Sequence, residues 1–214
     1  MVKGAFITVE GLDGSGKTTH LDFIERHLAA HGHAVTRTRE PGGTALGELL
    51  RGILLDPQPQ AAPISRRAEL MLIFAARAQH LDEVILPGLA AGATVLCDRF
   101  TDATYAYQGG GRAIERRAIE ALEQWTCGAL QPHLTLLLDV PVEVGSARAR
   151  QRKRAPDRFE SETVQFKQAV RAAYAARAER FPARIKRIDA GAAIDQVRAE
   201  LRSVLDAFRR ERSA

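Results

Sequence analysis

The chain has 214 residues, 45% hydrophobic and 27% charged, the balance of a globular protein large enough to bury a core. Its formal net charge of +5 admits a polyanionic partner, yet does not separate a nucleic acid from two phosphorylated small molecules. Two cysteines, Cys97 and Cys127, fit neither a disulfide framework nor a zinc site, and no apolar run is long enough to cross a membrane, so a reducing cytoplasm is the expected setting.

Residues 3–9 read as a first strand, buried on both faces because Ala5-Phe6-Ile7-Thr8-Val9 is nearly continuous in apolar side chains. The next stretch, Gly11-Leu12-Asp13-Gly14-Ser15-Gly16-Lys17-Thr18, satisfies G-x-x-x-x-G-K-[ST]. Glycines let the backbone fold around an anion with its N–H groups inward, and the following helix adds the positive end of its dipole. Lys17 is placed to reach the outer phosphates of a nucleoside triphosphate, and the Thr18 hydroxyl to hold Mg²⁺. A helix over 18–31 follows, with Leu21, Ile24 and Leu28 on one face and Gly32 as its stop. His31 and His33 straddle that stop and read as a solvated loop, since no third metal ligand lies nearby in sequence.

A short strand over 34–39 leads to Glu40-Pro41-Gly42-Gly43-Thr44, a turn at a strand's carboxyl end, where α/β sheets gather their ligands. The helix over 45–55 carries Arg51 among Leu49, Leu50, Ile53 and Leu54, and a proline-rich connector spans 56–63. From 65 to about 91 a long helix is expected, capped by Ser65, with Pro87 kinking or ending it. A third strand over 93–97 delivers Asp98, positioned like the second carboxylate of a phosphate-loop protein that holds Mg²⁺.

Tyr105-Ala106-Tyr107-Gln108-Gly109-Gly110-Gly111-Arg112 sets aromatics and an amide beside glycines that permit close backbone approach. Helix 113–127, strand 134–140, a helix from 142, helix 160–180, strand 184–188 and helix 194–208 complete the chain. Between two of these helices lies the basic run Arg148, Arg150, Arg152, Lys153, Arg154 and Arg158. Alone it reads as a solvated or nucleic-acid-binding face; behind a phosphate loop it reads as a mobile cationic lid. Alternating strands and helices imply a parallel five-stranded sheet with helices on both faces, an α/β P-loop NTPase fold with its ligands at the strands' carboxyl ends.

In this order GLDGSGKT at 11–18, REPGGT at 39–44, DRF at 98–100, AYQGGGR at 106–112 and DRFE at 157–160 make the whole chain resemble the thymidylate kinase family. The resemblance implies a single nucleoside monophosphate kinase domain over 1–214 with a basic lid near 148–160 and strand order 2-3-1-4-5. It implies Mg²⁺-dependent transfer of the ATP γ-phosphoryl group to dTMP, giving dTDP, in a homodimer with no nucleic-acid or membrane partner. By resemblance, residues 11–18 and Arg148 hold ATP, and Thr18 and Asp98 hold the metal ion. Asp13 meets the acceptor's 3′-hydroxyl, while Arg51 and Arg99 clamp the dTMP phosphate with Glu40 nearby. Arg77, Thr104 and Gln108 contact the base, and Tyr107 crowds the 2′ position. Catalytic charge comes from Lys17, Arg99, Arg150, Arg152, Arg154 and Arg158.

Two positions depart from the family pattern. An aromatic residue common four positions before the arginine is Ile73 here, so Phe74, three before it on the same helix face, is expected to supply the ring. A serine common before Thr104 is Ala103. Gly14 stands where some relatives carry arginine, which leaves the catalytic arginine to the lid. Two other readings stay open from the residues alone: a kinase for another nucleoside monophosphate, distinguished by its base pocket, and a nucleic-acid-stimulated ATPase, distinguished by steep salt dependence.

Overall fold

The computed structural model describes residues 4–57, 63–151 and 155–213. Five strands, β1 (Phe6–Glu10), β2 (Val35–Arg39), β3 (Thr94–Asp98), β4 (Leu134–Asp139) and β5 (Ile185–Asp189), form one sheet in the order β2-β3-β1-β4-β5, every pair parallel. The order places β1 in the middle, and all five of its residues are buried, as its apolar run requires. The helices are α1 (Lys17–Ala30), α2 (Ala45–Leu55), α3 (Arg66–His80), α4 (Leu86–Ala90), α5 (Thr101–Thr104), α6 (Arg116–Cys127), α7 (Val142–Arg150), α8 (Val164–Arg180) and α9 (Ile194–Ser213).

Side chains alternate across the sheet. Ile7, Val9, Leu96, Leu134, Leu136 and Leu138 pack under α1 and α9 against Leu21, Ile24, Leu28, Val197 and Leu201. On the other face Phe6, Val95, Cys97 and Phe100 meet Leu81 and Ile85, while Leu137 meets Val170 and Tyr174 of α8. Short polar side chains start the helices. Thr44, Ser65 and Thr163 accept hydrogen bonds from the backbone N–H groups of Gly47, Ala68 and Phe166, three residues on in each case.

The expected helix over 65–91 is continuous in path but not in type. A π-helical turn at Leu81–Ile85 joins α3 to α4 and sets Leu81 and Ile85 into the core, and Pro87, which has no N–H to give, falls at the second position of α4 just after that widened turn. A second π-helical turn, Tyr105–Gly111, continues α5. Its glycines are needed for contact: a Cβ on Gly110 would lie 2.7 Å from the Ala173 Cβ, so α8 approaches the backbone itself.

This segment is fixed by a buried acid that the hydrophobic pattern does not reveal. Asp102, 1% exposed, accepts from Arg177 of α8 and from Arg184 before β5 (2.8 and 2.7 Å), and Thr135 of β4 reaches the same carboxylate. The two guanidiniums hold the Asp102 carboxyl below the usual carboxylate range against the opposing effect of burial. Removing one partner of a buried ion pair strands the other. Asp102→Ala should therefore cost about 3–5 kcal/mol in urea unfolding, and a loss under about 1 kcal/mol would contradict a structural role for the pair.

Candidate active site

The loop after β1 is built to receive an anion. Gly16 takes a left-handed conformation (φ 87°) at the start of α1, and no side chain caps that helix, so its first N–H groups face the loop. Gly14 (φ 79°) packs directly on α7: a Cβ there would lie 1.9 Å from the Gly145 carbonyl oxygen, which excludes a side chain at that position without movement of α7. Lys17 is buried and donates from Nζ to the carbonyls of Gly11 and Leu12, 3.0 Å each. Burial, and then the charge of Arg99, lower its pKa to about 8, against the pull of Asp13, Asp98 and Glu10. A phosphate arriving within reach would raise it again.

Two buried oxygens beside this loop lack any hydrogen-bond partner, Ser15 Oγ and Asp98 Oδ1. Buried polar atoms are rarely left so, and an unsatisfied carboxylate oxygen at the end of β3 is a position that a hard cation would complete. Thr18, exposed in the first turn of α1, offers a hydroxyl from the neighbouring element. The donor set, carboxylate plus hydroxyl, suits Mg²⁺.

Arg99 sits at the centre. Its backbone is in the left-handed region (φ 72°), costly for a residue with a long side chain. Its guanidinium donates to the Gly11 carbonyl (2.9 Å), to Asp13 (2.9 Å) and to the Tyr174 hydroxyl (3.2 Å), and lies over the Tyr107 ring. Tyr107 in turn donates to Asp13 (3.3 Å). Beneath them lies Glu10, fully buried at the end of β1, which accepts from the Phe100 N–H (2.7 Å) and the Tyr174 hydroxyl (2.7 Å). Burial, with the Asp102 charge adding and Arg99 opposing, pushes its carboxyl up to about 8.

A cavity opens from this cluster, lined by Asp13, Glu40, Arg51, Ile73, Arg77, Arg99, Thr104, Tyr107, Gln108 and Phe159, among others. Arg77 forms its inner wall, 1% exposed. Its Nε donates to Glu40 (2.8 Å) and its Nη2 to the Phe100 carbonyl and Thr104 hydroxyl (3.2 and 3.0 Å), while Nη1 has no partner. Glu40 is held on its other side by His80 (3.0 Å), which bonds Thr38 (2.6 Å). Arg51, at the rim, donates to the Pro41 carbonyl (2.7 Å).

Phe74 does not line this cavity as expected. Its ring is buried with Leu70, Tyr105 and Ile119 and braces Arg77 from behind, and Ile73 faces the cavity instead. Successive helical residues point about 100° apart, so only one of the two can reach the base side. The rings at the cavity are Phe100, Tyr107 and Phe159, and Phe159, in the segment after the basic run, stands edge-on to Tyr107.

The basic run divides. Arg152 and Arg154 lie outside the described residues. Arg150 is exposed and lines a second cavity shared with Leu12, Asp13 and Glu143. Arg148 donates to the Ala190 carbonyl (2.7 Å), bridging α7 to the loop after β5. Arg158 is turned away from the phosphate loop: it is bound to the buried Glu69 (2.7 Å) and to the Leu54 carbonyl (2.8 Å). Of the two histidines expected in a solvated loop, His31 is exposed and His33 half-buried. His27, His31 and Asp206 bring ligand-type atoms within 4.8 Å of one another, but His27 is already bonded to Asp206 (2.9 Å) with Arg209 alongside (3.5 Å), a hydrogen-bonded staple between α1 and α9. His33 instead approaches Thr94 and Arg209 (3.4 Å each).

Glu10, Glu69 and Tyr174 escape a reading by motif. For Glu10 a signal existed, an acid closing an otherwise apolar buried strand.

Comparison with known proteins agrees with this geometry. Residues 9–201 match the family described as thymidylate kinase. A thymidylate kinase of Alkalilimnicola ehrlichii is 53% identical over 206 residues, covering 96% of this chain and 94% of that protein. One of Pseudomonas putida is 52% identical, covering 95% and 96%. The crystal structure of thymidylate kinase from Ehrlichia chaffeensis superposes with a TM-score of 0.76 at 32% identity, covering 95% of this chain and 99% of that one.

Glu10 has a measurable signature. Its carboxyl keeps a proton in the folded chain up to about 8, whereas the unfolded chain releases it near 4.5, so its contribution to stability is lost as pH rises between those values. Urea unfolding from pH 5 to 8 should show stability falling more steeply, by up to about 1.4 kcal/mol per pH unit, than in Glu10→Gln. Parallel pH profiles would contradict the protonated, buried state.

Proposed function

The chain belongs to the thymidylate kinase family and transfers the γ-phosphoryl group of ATP to dTMP, forming dTDP for dTTP synthesis; we propose how its residues divide that work. The observation that carries the acceptor assignment is Arg77, a fully buried guanidinium that lines the cavity and keeps one nitrogen without a partner. A buried donor of this kind is satisfied by a ligand acceptor, and a pyrimidine carbonyl supplies one. Thr104 and Gln108 complete the base contacts, Ile73 and Phe159 enclose the ring's faces, and Tyr107 crowds the 2′ position. Arg51 and Arg99 hold the acceptor phosphate, for which the planar guanidinium fork is suited. Asp13, between Arg99 and Tyr107, meets the sugar's 3′-hydroxyl.

The backbone of residues 11–18 cradles the ATP phosphates, Lys17 reaches the outer ones, and Arg148 lies on the nucleoside side. Thr18 and Asp98 hold Mg²⁺, which when bound neutralises charge on the phosphate oxygens. Phosphoryl transfer asks little covalent chemistry of a protein, so alignment and charge supply the rate. Arg150, Arg152 and Arg154 bring further positive charge over the migrating group when the 148–160 lid closes and excludes water. Arg158 is assigned to anchoring that lid rather than to the reacting phosphate, supported by its bonds to Glu69 and Leu54.

We propose one kinase domain acting as a homodimer in the cytoplasm. Leu46, Leu49 and Ile53 on α2 and Met71 on α3 are 44–70% exposed, an apolar surface that a second copy would cover. Among the described residues no helix is long and apolar enough to cross a membrane.

Arg77→Ala tests the acceptor assignment. Hydrogen bonds to a charged group contribute about 1.5–3 kcal/mol, so KM for dTMP should rise roughly 10–100-fold with KM for ATP nearly unchanged. Equal effects on both substrates would remove Arg77 from the base pocket.

A further inference from the structure

Glu69 of α3 is 1% exposed, yet three cationic or amide donors converge on its carboxylate. Arg112 approaches through Nε (3.2 Å), Arg158 through Nη1 (2.7 Å), and Gln108 through Nε2 (2.8 Å). The three donors come from distant parts of the chain, Gln108 and Arg112 from the π-helical turn and its end, Arg158 from the foot of the basic run. Gln108 turns the NH2 end of its side chain to this carboxylate, which has lone pairs to accept it. The carbonyl end is then the one left to offer to the cavity that Gln108 lines.

We infer that Glu69 is a positioning residue for base selection: by holding the Gln108 NH2 group it presents the Gln108 carbonyl to the cavity that Arg77 also lines, so that the two side chains offer an acceptor and a donor. The inference rests on the dTMP reading and deepens it. Thymine shows a carbonyl acceptor at O4 and a donor at N3–H, which complement a protein donor and a protein acceptor in that order. Cytosine shows the reverse, an amino donor and an N3 acceptor, so the fixed amide sets acceptor against acceptor and donor against donor. An amide free to rotate would present its NH2 to cytosine N3 and lose half of that discrimination. Glu69 thus acts on specificity without touching the nucleotide. Through Arg158 it also fixes the foot of the lid to the wall of the base pocket, so that acceptor recognition and lid placement share one buried charge.

The test is ADP release by the full chain with ATP and Mg²⁺, comparing kcat/KM for dTMP and dCMP. Glu69→Gln should lower the dTMP:dCMP ratio by roughly tenfold or more, chiefly through KM for dTMP, while KM for ATP stays within about twofold. In a Gln108→Ala background the same substitution should move the ratio by less than about twofold, because no amide remains to orient. A folded Glu69→Gln variant with an unchanged ratio, or one equally effective without Gln108, would overturn the inference. Should Glu69→Gln fail to fold, Glu69→Asp keeps the negative charge in the site but draws it back by one methylene from Gln108 and from both arginines. That variant should lower the ratio too, and an unchanged ratio there is equally decisive. An unaltered chain that ignores dTMP overturns the kinase reading itself, and this inference with it; normal dTMP turnover with unmoved selectivity overturns the inference alone.

Discussion

A buried guanidinium governs the arrangement. Arg77 is out of water, and a charge in that position persists only where the surroundings answer it. Glu40 answers it at 2.8 Å, and Glu40 is itself fixed by His80 and through it by Thr38 of β2. The Phe100 carbonyl and the Thr104 hydroxyl take a second nitrogen. What remains is one nitrogen without a partner, on a side chain held from both sides in the cavity wall. In the proposed reading, selectivity for a carbonyl-bearing base follows from the rigidity of that donor more than from its charge.

The phosphate side is tied to the same framework through two consecutive residues. Arg99 reaches the loop carbonyl of Gly11 and the carboxylate of Asp13, and Phe100, next in the chain, gives its carbonyl to Arg77 and its N–H to Glu10. Glu10 therefore secures the strained backbone of Arg99 from below, and Tyr174 of α8 links it to the guanidinium. One strand end thus positions both the guanidinium beside the phosphate loop and the guanidinium in the cavity wall. Holding two polyanions end to end in this way is the larger part of what phosphoryl transfer requires.

Much of this was legible in the sequence because it is local. The phosphate loop and the motifs at 39–44, 98–100 and 106–112 each lie within a few residues, the strand–helix alternation implied a parallel sheet, and the family resemblance those motifs carry implied the sheet order found. Position on a helix face was legible only approximately. Ile73 and Phe74 both fall within one face of Arg77 in sequence, and packing against Tyr105 and Ile119 decides that Phe74 faces inward. The pairings of the buried acids were not legible, although Glu40 was placed in the site by its motif. Asp102, Glu69 and Glu40 are satisfied by arginines or histidine tens of residues away, pairings that leave no periodic trace. Arg158 shows the same limit: its place in a basic run suggests a free lid cation, and its partner is a helix about ninety residues earlier.

The lid and the base pocket meet in the segment after the basic run. Phe159 joins the cavity wall, Arg158 and Arg112 share Glu69, and Arg112 also pairs with Glu162. An acceptor that fills the cavity therefore touches the same structure that carries the lid. The central claim, that a fixed donor at Arg77 and the cavity around it choose the acceptor, is tested most directly by initial ADP release with ATP and Mg²⁺ across dTMP, dUMP, dCMP, dGMP and AMP. The account predicts dTMP as the best acceptor, dUMP next because it keeps the same carbonyl edge, and the other three near background. Turnover of dCMP or AMP equal to that of dTMP would contradict it.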